Sequence, residues 1–179
     1  MMSVPEPTVR SARAAQIITA ARLILEDEGR DALTMRRLAT DVGMQAPSLY
    51  KHFATKRAVE AALIEQGLIN FGEALHAAVS SPGGRGPVRS LLGVYRKTAL
   101  ANRALYRLAT SGQLPREDLA PNVEAWAGES FFLAMSDPWR AQALFAFAHG
   151  MVVLELDDRF LEGSDLDLTW RAGSVMFAG

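Results

Sequence analysis

The chain contains no cysteine, which excludes disulfide bridges and thiolate metal sites. Its three histidines, His52, His76 and His149, fall in no ligand-type spacing such as HExxH. No stretch approaches the ~18 uninterrupted apolar residues that a membrane helix requires. The residues up to Val9 lack the charged-then-apolar layout of a signal segment and read as a short flexible arm, so a soluble, cytoplasmic protein is expected. Neither sign of charge dominates, with a formal net charge of −1 over 179 residues. No nucleophile–base pair, metal cluster or phosphate-binding glycine loop is recognisable, so the sequence does not read as an enzyme. It implies no metal and no cofactor.

What is present is hydrophobic content of 49%, enough for one sizeable core or a small domain joined to a larger one. Residues 1–56 carry eight Lys and Arg against six Asp and Glu, and the remainder eleven against fourteen. That split permits a phosphate-facing head on an acidic body, and equally a random scatter of surface charge. Helical periodicity dominates, and no period-two strand is visible. Ala14, Ile17, Ile18, Ala21, Ile24 and Leu25 form a core-facing stripe in a first helix over 10–28, with Gly29 as a left-handed C-cap. Thr34 caps a short second helix through Val42, and Gly43 ends it. A third short helix covers 45–52, with Pro47 tolerated in its first turn. Thr55 caps a long fourth helix that turns Val59, Leu63, Ile69 and Leu75 inward.

The turn-rich run SSPGGRGP, 80–87, breaks the pattern. Further helices are expected over 88–102, 103–111, 122–135, 138–156 and 166–177, with a loop, GQLPREDLAP, ahead of the third of these. The expected class is all-α, about nine helices: a three-helix helix-turn-helix head followed by a helical bundle.

The stretch LTMRRLATDVGMQAPSLYKHFATK, 33–56, carries the chemistry. Leu38, Ala39 and Val42 would pack with Met44, Leu49 and Phe53 against the first helix. The opposite face of the third helix then presents Gln45, Ala46, Pro47, Ser48, Lys51 and His52. A helix fits the major groove of B-DNA, and its N-terminal residues reach base edges. Arg36 could fork to guanine or reach a phosphate, and the Thr34 hydroxyl stands at a helix start. Tyr50, His52 and Lys56 offer a phenol, an imidazole and an ammonium to phosphate oxygens, and Lys56 lies in the first turn of the fourth helix, where the dipole favours an anion. Pro47 and Ser48 also suit plain first-turn positions, and Tyr50 a half-buried one; Arg37 suits a surface ion pair.

In that register the segment resembles the N-terminal domain of the tetracycline-repressor (TetR) family. The matching residues are Thr34, Arg36, Leu38, Ala39, Gly43, Leu49, Tyr50, His52, Phe53 and Lys56, preceded by Ile17, Ala20, Ala21, Leu25 and Gly29. The likeness covers about residues 10–60. Two positions depart from the family pattern: Gln45 stands where a Ser or Thr cap is usual, and Ala46 offers only apolar contact, such as to a thymine methyl. The resemblance implies a DNA-binding domain at 1–56 and a ligand-binding and dimerisation domain at 57–179. It also implies a homodimer joined by the last two helices of each subunit, an unidentified small-molecule effector, double-stranded DNA as partner, and a repressor role. A helical protein-interaction bundle that does not bind DNA is the alternative.

In the second part, His149-Gly150 within an apolar run resembles the WHG type of C-terminal domain in that family, although Ala148 stands where its Trp is expected. His149 suits a core position, a ligand contact or a dimer-interface hydrogen bond. Trp126, Phe131, Phe132, Met135 and Trp139 suit either a ligand cavity or plain core; Trp126, Phe131, Met135 and His149 are the candidate ligand residues.

Overall fold

The structure, a computed structural model, describes residues 2–178. Among these there are nine α-helices, one short 3-10 turn and no strand. The helices are α1 Ala12–Glu28, α2 Met35–Asp41, α3 Ala46–Tyr50, α4 Lys56–Ser80, α5 Pro87–Ala101, α6 Arg103–Thr110, α7 Val123–Met135, α8 Pro138–Leu156 and α9 Leu166–Ala178. The all-helical architecture is therefore the one the periodicity predicts. The 3-10 turn, Arg116–Asp118, falls inside the expected loop.

The chain divides into two compact units. The head unit comprises 5–69 and 102–123; the body unit comprises 70–101 and the chain from Glu124 onward, with the first few residues. By packing, α4 up to Ile69 and all of α6 belong with the head.

In the head unit, α1 packs on α2 and α6, and α2 packs on α3. The α1 stripe, from Ala14 to Leu25, is buried with Leu33, Leu38, Leu49, Phe53, Leu63 and Leu105. Caps fix the starts of these helices: Ser11 Oγ accepts from the Ala14 N–H, Thr34 Oγ1 from Arg37 and Thr55 Oγ1 from Ala58. Gly29 has φ +86° but ψ 174°, so it ends α1 with an extended ψ rather than the expected left-handed helical one. The N-terminal arm is also less free than expected. The Thr8 N–H and hydroxyl and the Arg10 guanidinium all donate to the carboxylate of Glu65, at 3.1, 2.7 and 2.7 Å.

In the body unit, α5 packs on α8 and α9, and α8 on α9. Asp137 caps α8, its Oδ1 accepting from the Arg140 N–H at 2.7 Å, and Pro138 occupies the first turn, where no helical amide partner is lost. The Trp126 ring of α7 lies against Gly72 of α4, where a Cβ would stand 2.4 Å from ring carbon Cζ3 and 3.1 Å from the Ala127 Cα. Only glycine permits that approach. No described helix is long and apolar enough to cross a membrane.

Candidate nucleic-acid interface

The turn between α2 and α3 is built by its own backbone. Gly43 has φ +63°, its N–H donates to the Thr40 carbonyl at 3.1 Å, and the Met44 N–H donates to Ala39 at 2.8 Å. These two bonds form a Schellman motif, in which the left-handed residue favours glycine. From the first turn of α1, Arg13 Nη2 donates to the Val42 carbonyl at 2.8 Å and anchors the turn. Nothing in the local sequence marks Arg13 for this role, because its partner lies 29 residues away.

α3 is shorter than the expected 45–52. After Tyr50 the chain leaves the helix, with the His52 and Phe53 N–H groups both donating to the Leu49 carbonyl, and Phe53 turns into the core at 6% exposure. Leu49 is fully buried. A five-residue helix has no stability of its own in water, so this apolar underside is what holds α3 in place.

Its other side is open. Gln45, Ala46, Pro47, Lys51 and His52 are exposed, Tyr50 is 50% exposed and Ser48 is half-buried. The Gln45 side chain makes no cap hydrogen bond, leaving its amide available for another partner. Thr34 and Arg36, at the start of α2, are exposed as well. The Thr34 oxygen is engaged as the cap of α2, so what it has left to offer is its hydroxyl hydrogen.

The charged residues separate into engaged and available groups. Arg37 bonds Glu28 at 2.6 Å and Asp41 at 2.9 Å, which raises its pKa and matches the surface ion pair expected of it. Lys56 donates to the Arg30 carbonyl at 2.8 Å and lies 3.8 Å from Glu60, which a bidentate contact from Arg30 also holds. One of the three Lys56 donors is thus spent at the base of α4. Arg36, Lys51 and His52 make no side-chain hydrogen bond or ion pair among the described residues. The available donors are therefore those at the front of α2 and at the exit from α3.

The candidate ligand residues are packed in the body. Trp126 is 2% exposed and stacks on His76 with ring centroids 4.9 Å apart, while His76 Nε2 lies 3.0 Å from the Trp126 carbonyl. Phe131 and His149 both contact Phe145, at centroid distances of 5.4 and 6.0 Å. Burial pushes the pKa of His149 below the usual histidine value, favouring the neutral ring. Met135 is buried, whereas Phe132 and Trp139 are exposed. A cleft of about 430 Å³ opens elsewhere in the body, between α5 and α9, and none of these residues lines it.

A sequence model of the tetR family of bacterial regulatory proteins matches residues 17–63. Tetracycline repressor protein class C of Escherichia coli is 53% identical over 49 residues, which is 27% of this chain and 22% of that protein. The chain thus matches less than a quarter of that repressor's length. Two solved structures share the fold over nearly the whole chain. A protein with unknown function from Rhodococcus sp. RHA1 has 23% identity and a TM-score of 0.78, covering 97% of each chain. The multidrug binding protein EbrR, complexed with imidazole, has 21% identity and a TM-score of 0.68, covering 93% of this chain and 96% of that one. By its helix-turn-helix, with the buried Leu49 and Phe53 and the Gly43 turn in the matched segment, the stretch 17–63 is similar to the tetR family of bacterial regulatory proteins.

Proposed function

We propose that this chain is a sequence-specific DNA-binding transcriptional regulator rather than an enzyme, a ligand-responsive repressor that acts as a homodimer on a near-palindromic operator in the cytoplasm. The observation that carries the proposal is α3 itself, a helix held by a buried Leu49 with its polar edge left open. In this reading Thr34, Arg36, Gln45, Ala46, Pro47, Ser48, Tyr50, Lys51, His52 and Lys56 form the DNA surface. α3 enters the major groove, Gln45 and Ala46 face base edges, and Tyr50, Lys51 and His52 meet phosphates. Residues 1–56 serve DNA binding; 57–179 serve dimerisation and sensing. The repressor role is supported by the named activity of the Escherichia coli relative.

The second copy is proposed to cover an apolar stripe on the last two helices. On α8 it comprises Trp139, Ala143, Ala146 and Leu154; on α9, Leu168, Ala172, Val175 and Met176. Trp139 is 74% and Met176 80% exposed, which is more apolar surface than a soluble monomer carries without use. A two-fold dimer presents two α3 helices to successive major grooves. Introducing V175E and M176E together is expected to shift the sedimenting species from dimer to monomer; an unchanged dimer would place the interface elsewhere.

The sensing role is proposed for the aromatic interior of the body around Trp126, Phe131, Met135 and His149, and a small molecule bound in EbrR supports it by likeness of fold. A ligand there acts on DNA binding through α4 only insofar as it prefers the conformation with weaker DNA affinity.

Selection from a random duplex library tests the function. The expected result is a palindromic consensus with half-sites about one helical turn apart; featureless enrichment would contradict the proposal. On the selected duplex, R36A is expected to weaken binding about tenfold with no change in thermal midpoint. K51A is expected to weaken binding to all sequences alike and reduce the salt slope by about one unit.

A further inference from the structure

The body as a whole is acidic, yet its α5–α9 cleft is lined by five cationic side chains, Arg85, Arg89, Arg96, Lys97 and Arg171, against one carboxylate, Asp167. α5 itself, PVRSLLGVYRKTALA, contains no acidic residue. Its cationic residues, Arg89, Arg96 and Lys97, share one side of the helix with Gly93 and Leu100. The concentration of charge is therefore a property of one groove and not of the surface at large.

The groove has fixed walls. Arg96 bonds Glu155 of α8 through Nε at 3.0 Å and Nη2 at 2.7 Å, reaches Asp167 of α9, and lies over the Trp170 ring at 5.7 Å. Trp170 Nε1 donates to the same Glu155 at 3.2 Å. That network pairs the Arg96 guanidinium with both carboxylates, Glu155 and Asp167. The side chains of Arg85, Arg89, Lys97 and Arg171 make no hydrogen bond or ion pair among the described residues, and all four residues are exposed. Midway along α5, a Cβ added to Gly93 would meet nothing within 4 Å, so the centre of the groove is open. At a rise of about 1.5 Å per residue, Arg89 and Lys97 stand about 12 Å apart along α5, on either side of that opening.

We propose that the α5–α9 cleft is a binding site for a small polyanion bearing phosphate or carboxylate groups, separate from the aromatic interior. Arg85 and Arg89 hold one anionic end, Lys97 the other, and Arg171 closes the side from α9. Charge-assisted bonds from arginine forks suit either kind of anion. The open floor at Gly93 accommodates the linking atoms.

Isothermal titration of the full chain with inorganic pyrophosphate, and separately with citrate, tests this and distinguishes the two anion types. The expected result is saturable binding of one anion per chain to at least one probe, with heat beyond that of chloride at matched ionic strength. R89E and K97E are each expected to weaken it by about tenfold or more. G93L, which fills the floor without altering charge, is expected to weaken it similarly, whereas R103E on α6 leaves it unchanged. Circular dichroism of each variant establishes that the helices are intact, and the titration of the unaltered chain stands whether or not a variant folds. No saturable heat with either probe would overturn the proposal. So would equal losses in R103E and R89E, which would mean general electrostatics, or losses in duplex binding with unchanged anion affinity, which would make the groove a nucleic-acid surface.

Discussion

Replacing Leu49 by alanine is expected to lower folding stability by about 2–5 kcal/mol and to abolish duplex binding even where the chain remains folded. Leu49 is fully buried in the head core, and the five residues of α3 have too few internal hydrogen bonds to hold a helix by themselves. Removing the side chain leaves a cavity under the one element that presents the polar edge. At roughly 2–4 °C of midpoint per kcal/mol, the loss is readily measured by thermal unfolding. Tyr50, 50% exposed on the same helix, provides the contrast. Y50A is expected to weaken duplex binding while changing stability by less than about 1 kcal/mol. If L49A and Y50A had the same effect on both measurements, α3 would not have an inner and an outer side.

The second large effect is expected at Glu65. Its carboxylate is 1% exposed and accepts four hydrogen bonds, from the Thr8 N–H, the Thr8 hydroxyl, Arg10, and the Ala120 N–H at 2.8 Å. E65A strands a partly buried guanidinium and a buried amide, and the expected cost is about 3–5 kcal/mol. Burial alone would raise the pKa of this group, but the bonds from Arg10, Thr8 and Ala120 outweigh it, and the net direction is downward. A carboxyl with a lowered folded-state pKa contributes its stability in full above the ordinary glutamate value. The contribution is lost as pH falls through the folded value. The unaltered chain should therefore lose stability progressively below about pH 4.3, the unfolded-state value. E65Q should be less stable at pH 7 and less sensitive to acid, as denaturant midpoints at pH 7, 5, 4 and 3 would show. Parallel pH profiles for the two proteins would remove Glu65 from this role.

These two residues mark where the sequence was legible and where it was not. Leu49 belongs to a local pattern: apolar spacing, a glycine turn and two capping threonines all lie within one short stretch and require no knowledge of distant partners. The same kind of information locates every helix to within a few residues. It overextends α3, because the exit at Lys51 depends on Phe53 finding space in the core. Glu65 carries no local signal beyond its place on the inward side of α4, near Ala61 and Ala62. Its partners lie 55 or more residues away in both directions, so its role emerges only from the folded chain. The polar edge of α3 was readable for a similar reason to Leu49, since whatever lies opposite a buried stripe is exposed. Lys56 departs from that rule, because its ammonium bonds a carbonyl at Arg30. The arm ahead of α1 reads as free in sequence and is held through Glu65. The basic cleft was equally hidden, because its cations come from α5 and the turn before it and from α9, some 70 residues further on, and are diluted in the total charge.

The central claim is that the outer edge of α3 lies in the groove of a duplex. Amide chemical-shift mapping of the isotope-labelled protein, titrated with its selected duplex at low ionic strength, tests this most directly. The largest perturbations are expected on residues 34–36 and 45–52, with the amides of α5 and α9 little changed. Perturbations confined to α5 and α9, with those of 45–52 unmoved at saturation, would contradict it.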